Sequence, residues 1–121
     1  MSDKKTLILG ASTKESRYSN IAIKRLLSVE YEVVAIGNRP GVVGEVTIET
    51  DLPKYEGIDT VSLYLNPSRQ AAYYEYIISL GPKRVIFNPG TENFEFINLL
   101  KQHGIESQMA CTLVLLATNQ Y

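Results

Sequence analysis

Residues 6–27 read TLILGASTKESRYSNIAIKRLL, and this stretch decides the fold. Thr6-Leu7-Ile8-Leu9 is a short apolar, partly β-branched run that stops at Gly10. A polar loop follows, and from Asn20 the apolar residues Ile23, Leu26 and Leu27 take helical spacing. The spacing predicts a helix running to about Val29, with Ser19 or Asn20 as its cap. A buried strand, a glycine turn and an amphipathic helix in that order begin a strand–helix–strand crossover, which implies parallel strands.

The rest of the chain repeats the scheme. Glu32–Ile36 reads as a second strand ended by Gly37-Asn38, and Val46-Thr47-Ile48 as a short edge strand. Thr60–Leu65 reads as a strand, and Asn66-Pro67 opens a helix whose face is marked by Ala71, Tyr74 and Ile78. Proline suits a first helical position, where its missing donor would be unpaired anyway. Arg84–Phe87 is a strand closed by Asn88-Pro89-Gly90. Phe96, Leu99, Leu100 and His103 then fall at i, i+3, i+4 and i+7 before the stop at Gly104. Ile105–Met109 and Thr112–Ala117 read as a last strand and helix. The expectation is an α/β, Rossmann-like three-layer fold: a mostly parallel sheet of about five strands with helices on both faces.

Composition sets the outer limits. The 121 residues, 45% hydrophobic and 21% charged, suit one globular domain over 1–121 and exclude a disordered chain. Twelve basic against thirteen acidic residues give a net charge of −1, without the basic excess expected of a nucleic-acid or anionic-membrane binder. The single cysteine excludes an intrachain disulfide and a cysteine-cluster metal site. Met1–Lys5 and the short run after it lack the apolar core of a secretion signal, and no stretch is long enough to span a bilayer. A cytoplasmic protein without room for a second, catalytic domain is the expectation.

In a parallel sheet, ligands bind beyond the carboxyl ends of the strands, where strand order reverses. The residues there are rich in Gly, Ser, Thr, Asn and Pro, with no paired carboxylates. In the first loop Gly10 permits a sharp turn and close backbone approach, and the following helix presents free amides to an anion. Lys14 and Arg17 add charge, and Ser12, Thr13 and Ser19 add hydroxyl donors. The loop suits a pyrophosphate, though it carries neither the three glycines of the dinucleotide fingerprint nor a Walker loop. A plain polar turn with a helix cap reads the same residues equally well. After the second strand, Gly37-Asn38-Arg39-Pro40 holds no acid for ribose hydroxyls. Arg39 suits a ribose-attached phosphate, as in NADP or coenzyme A, or is a solvated arginine in a turn. Asn66-Pro67 and Asn88-Pro89-Gly90 repeat one device, either caps and turns or the wall of a ligand cleft.

Other reactive side chains read as structural. His103 ends an apolar helix face, Cys111 reads as a buried thiol, and Tyr73, Tyr74 and Tyr76 read as helix packing and surface. No nucleophile–base pair assembles from the strand ends. No aspartate follows the first strand, and Asp59 precedes its own, so a phospho-receiver does not fit.

Several segments together carry a resemblance. Gly10-Ala11-Ser12 and Ser16-Arg17-Tyr18-Ser19-Asn20 resemble the opening of the small single-domain CoA-binding-domain family. Those proteins are similar to the N-terminal domain of the succinyl-CoA synthetase α subunit. Leu63–Pro67, Val85–Glu92 and Ala110–Leu113 resemble the family's later segments, in the same order and nearly end to end. The resemblance implies coenzyme A or an acyl-CoA as ligand. It places the diphosphate on Gly10, Ala11, Ser12, Thr13, Lys14, Arg17, Tyr18, Ser19 and Asn20, and the adenosine end near Asn38 and Arg39. The pantetheine would pass Asn66, Pro67, Asn88, Pro89, Gly90 and Glu92. The family more often has proline where Glu15 stands, and the ligase's phosphorylated histidine belongs to a domain outside this chain, so His103 inherits no role. The expectation is a CoA-binding module without chemistry of its own. The alternatives are an NADP- or other nucleotide-using enzyme component, and an interaction domain that has lost its ligand; the sequence names no protein partner.

Overall fold

The computed structural model describes residues 4–121; Met1–Asp3, part of the leader reading, lie outside them. The elements in chain order are β1 (Lys5–Leu9), α1 (Tyr18–Ser28), β2 (Val33–Ile36), β3 (Gly41–Val43), β4 (Val46–Glu49) and β5 (Ile58–Leu63). There follow α2 (Pro67–Gln70), a 3-10 turn (Ala71–Tyr73), α3 (Tyr74–Leu80), β6 (Arg84–Phe87), α4 (Phe94–Gln102), β7 (Glu106–Met109) and α5 (Thr112–Ala117). One seven-stranded sheet runs β3-β4-β2-β1-β5-β6-β7. Every pairing is parallel except the β3–β4 hairpin.

Alternation along each strand builds two cores. Leu7, Leu9, Val61, Leu63, Val85 and Phe87 face Tyr76 and Ile77 of α3 and Phe96 and Leu100 of α4. Ile8, Ala35, Ile48 and Ile86 face Ala22, Ile23 and Leu26 of α1 and Leu115 of α5. The sheet is therefore covered on both sides, as its continuously apolar strands require. None of the helices among the described residues is long and apolar enough to cross a membrane.

The strand count is seven rather than five. Val46–Glu49 is not an edge strand: it pairs with β2 on one side and β3 on the other. The helix after β5 also differs. A 3-10 turn breaks it at Ala71–Tyr73 and rotates its second half, so the buried face is Gln70, Tyr76 and Ile77, while Ala71 is exposed. α1 starts at Tyr18 after Arg17, so Ser19 and Asn20 lie inside its first turn and neither caps it.

Strand order reverses between β1 and β5: the chain moves from β1 to β2 on one side and from β5 to β6 and β7 on the other. The crevice opens at the carboxyl ends of these two strands.

Candidate functional site

A cleft of about 580 Å³ lies at that reversal, a volume within the usual range for small-molecule sites. Ser12, Thr13, Lys14, Arg17, Tyr18 and Ser19 line it from the loop after β1, and Asn38 and Arg39 from the turn after β2. Tyr64, Asn66, Arg69 and Tyr73 come from the segment after β5, and Pro89, Gly90 and Thr91 from the turn after β6. Four successive strand ends thus contribute to one surface.

The β1 loop is fixed from below. Gly10 and Ala11 both donate their backbone N–H to the carbonyl of Ile36, each at 2.9 Å, so the loop is stitched to the end of β2. Those two amides are therefore spent, although the resemblance counts Gly10 and Ala11 among the residues under the diphosphate. Free donors lie further on. The amides of Ser12, Thr13, Tyr18 and Ser19 form no hydrogen bond among the described residues. The last two belong to the first turn of α1, the positive end of its dipole. Buried Asn20 stays out of the cleft and instead donates from its side-chain nitrogen to the Ser12 carbonyl at 2.9 Å, fixing the loop from the helix side.

Charge in the cleft is one-sided. Lys14, Arg17, Arg39 and Arg69 line it, and no carboxylate does. Among the described residues the ion pairs join Lys5 to Glu32, Lys24 to Glu15 and Lys83 to Asp59, so none of the four cleft cations is neutralised. Glu15, the residue where the resembled family more often has proline, leans on Lys24 at 3.9 Å and stays out of the lining. Four uncompensated cations converge in a chain whose net charge is −1. Such a field concentrates an anionic ligand.

Two polar side chains hold the walls rather than line the cleft. Asn88 is 2% exposed and outside the lining. Its nitrogen donates to the Ser62 hydroxyl and the Leu63 carbonyl, both at 2.8 Å, and its carbonyl oxygen accepts from the Thr112 amide at 2.8 Å. It ties the ends of β5 and β6 to the start of α5. Gln70, fully buried, donates to the carbonyls of Leu65 (2.9 Å) and Thr91 (2.8 Å) and accepts from Asn93. It locks the β5 and β6 turns together. Two more sequence candidates stand outside the lining. Pro67 occupies the start of α2. Glu92 precedes α4, whose cap is Asn93, and accepts from the Gly90 amide at 2.9 Å. Asn66 lines the cleft and accepts from Ser68, but makes no capping bond to α2.

Replacing Asn88 by alanine strands the Thr112 amide and the Leu63 carbonyl in the interior. We expect a stability loss of about 3 kcal/mol, seen as a lower urea midpoint. Asn88→Asp also fails, because a carboxylate oxygen would face the Leu63 carbonyl. Protonation relieves that repulsion. The raised carboxyl pKa makes its stability highest at acid pH and lowers it as pH rises through the folded-state value. Unfolding curves at pH 4 and pH 7 read this directly.

Reactive groups are scarce. Cys111 is half-buried at the start of α5 and exposed His103 ends α4; neither lines the cleft. Tyr64 lines it, and burial pushes its phenol up to about 12, so the ring acts there as a neutral surface. No cluster of His, Cys, Asp and Glu that could hold a metal occurs among the described residues. Sequence reading missed Tyr64, Arg69 and Tyr73. The strand-end rule that picked Asn66 covers Arg69 and Tyr73 too, because they lie on the same segment one and two helical turns further on.

A family model described as CoA binding domain matches residues 4–117. A crystal structure of an uncharacterized protein is 49% identical, with a TM-score of 0.95 and 98% of each chain covered. A hypothetical protein from Pyrococcus horikoshii OT3 is 29% identical, with a TM-score of 0.83 over 92% of this chain and 80% of that one. A dinucleotide-forming acetyl-coenzyme A synthetase 1 from Ca. Korarchaeum cryptofilum, solved with phosphate and ADP, shares the fold at 13% identity and a TM-score of 0.71. The match takes in 88% of this chain and 25% of the synthetase. No protein of curated function matches the chain.

Proposed function

The chain belongs to the CoA binding domain family, and from that premise we propose that the strand-end cleft holds coenzyme A or an acyl-CoA in a module without catalytic machinery of its own. The observation that carries this reading is the convergence of four unpaired cations and four unbonded amides on one cleft without a carboxylate. The diphosphate rests on the amides of Ser12, Thr13, Tyr18 and Ser19, beside Lys14 and Arg17. Arg39, on the neighbouring turn, takes the ribose phosphate. The pantetheine arm runs past Asn66 and Tyr73 toward Pro89 and Gly90. Coenzyme A fits this set better than NAD does, because no acid follows β2 to hold ribose hydroxyls. The cleft lining presents no cysteine, histidine or carboxylate to act as nucleophile or general base.

Titration calorimetry with CoA, acetyl-CoA, NAD and NADP in one buffer tests the reading. Both CoA species are expected to saturate the protein, and NAD is not. No heat from either CoA species at millimolar concentration overturns it. Saturation by NADP but not CoA transfers the site to the nicotinamide cofactors, which Arg39 also suits. Turnover of any member of an acyl-CoA panel by the isolated chain overturns the absence of chemistry.

A further inference from the structure

Arg69 is the one cleft cation that the reading above leaves without a task. It is exposed, its side chain makes no hydrogen bond or ion pair among the described residues, and it lines the cleft from the wall opposite α1. We infer that Arg69 is a phosphate-reading residue, gripping the ligand's diphosphate from the β5 side of the crevice while the β1 loop holds it from the other.

Topology supports the placement. The strands run β2-β1-β5, so Arg39, the Lys14–Arg17 loop and Arg69 follow one another across the cleft in that order. Neighbouring strands lie about 4.8 Å apart, which puts Arg69 one strand from the loop proposed for the diphosphate. Its anchor is firm. The next residue, Gln70, is fully buried and bonded to the Leu65 and Thr91 carbonyls, so the guanidinium projects from a fixed base.

Charge counting agrees. Coenzyme A carries two charges on its diphosphate, and its ribose phosphomonoester adds about −1.5 to −2, so Lys14, Arg17 and Arg39 leave roughly one unmatched. The pantetheine arm is uncharged and gives a guanidinium nothing to bind. An arginine's planar fork meets two phosphate oxygens in a fixed bidentate geometry, whereas a lysine binds phosphate as a point charge.

This inference rests on the CoA reading, and its test keeps the two separable. Wild type, Arg69→Gln, Arg69→Lys and Arg39→Gln are titrated with CoA and with 3′-dephospho-CoA. Arg69→Gln is expected to weaken both ligands about tenfold and to reduce the salt dependence of binding, with Arg69→Lys between it and wild type. Arg39→Gln is expected to weaken CoA alone. The unfolding midpoint of Arg69→Gln stays at the wild-type value, because its side chain holds nothing in the fold. Wild-type affinity in Arg69→Gln overturns the inference. So does a loss confined to CoA, since Arg69 would then read the ribose phosphate. Absence of binding by the wild type overturns the CoA reading itself and is seen without any variant.

Discussion

Gly37→Ala is expected to lower Tm by roughly 10 °C and to weaken CoA binding by on the order of a hundredfold. A Cβ at position 37 would stand 2.3 Å from the carbonyl oxygen of Ala11. That oxygen belongs to backbone, and it cannot swing aside. On one side of it the Gly10 and Ala11 amides are bonded to Ile36, and Gly37 itself donates to Glu49 at 2.9 Å. Making room means prising the β1 loop from the end of β2. Overpacking of this kind costs about 2–3 kcal/mol, and it displaces the residues whose free amides are proposed to hold the diphosphate. Gly41 supplies the control. Its added Cβ would meet Cγ2 of Thr13 at 2.4 Å, the end of a side chain. Gly41→Ala is therefore expected to be milder, and Thr13→Ser, which removes that methyl, should restore it. No side-chain change restores Gly37→Ala. Thermal melts and CoA titrations of the four proteins decide the matter; a Gly37→Ala variant that melts and binds like wild type would falsify the close-approach argument.

Gly37 also shows which parts of this fold are legible in a sequence. Glycine after a strand suggests a turn, and that much is visible in Gly37-Asn38. Its φ is ordinary, however, and what requires glycine is the Ala11 backbone, 26 positions away in sequence. The alternation of apolar strands and helices gave the parallel, doubly covered sheet, because hydrophobic period follows directly from what each element buries. The β3–β4 hairpin also carries a signal in the sequence. Gly44-Glu45 is a two-residue loop between Val43 and Val46, and Gly44 takes φ +61. The rotated face of α3 had none, since a single 3-10 turn shifts the register without a proline or glycine to mark it.

The buried polar residues were the least legible. Asn88 reads as a turn residue or part of a cleft wall, and nothing in the sequence singles out Gln70. Each is instead committed to carbonyls and amides from other loops: Asn88 to Leu63 and Thr112, Gln70 to Leu65 and Thr91. Such partners are backbone atoms, which carry no side-chain signature in a sequence. The same holds for the backbone donors of the cleft. The motif Gly10-Ala11 marks a loop that lines the cleft, yet its own amides are taken by Ile36, and the free ones begin at Ser12. The glycine serves the junction with β2, and the donors come from the residues it positions.

That shift of donors makes the cations the decisive test of the whole reading. Replacing Lys14, Arg17 and Arg39 together by glutamine is expected to reduce CoA affinity by roughly a hundred- to a thousandfold. A hydrogen bond to a charged group contributes about 1.5–3 kcal/mol, and exposure with salt screening holds each of these to the low end or below it. The three side chains are exposed and make no ion pair among the described residues, so the fold should keep its wild-type urea midpoint. The residual affinity is informative. With these three charges gone, Arg69 and the unbonded amides of Ser12, Thr13, Tyr18 and Ser19 remain in the lining, so weak binding with a reduced salt response is the expected remainder. Lys24→Gln is the matched control: it removes one positive charge from α1, paired with Glu15 and outside the cleft. It should leave CoA affinity within about twofold of wild type at physiological salt. If the triple variant bound CoA as tightly as wild type, the cleft would not be the anion site, however well its shape and lining suit one. An equal loss from Lys24→Gln would reduce the effect to net charge alone. Only a large loss in the triple variant, with stability intact and the control silent, ties the ligand to these strand ends.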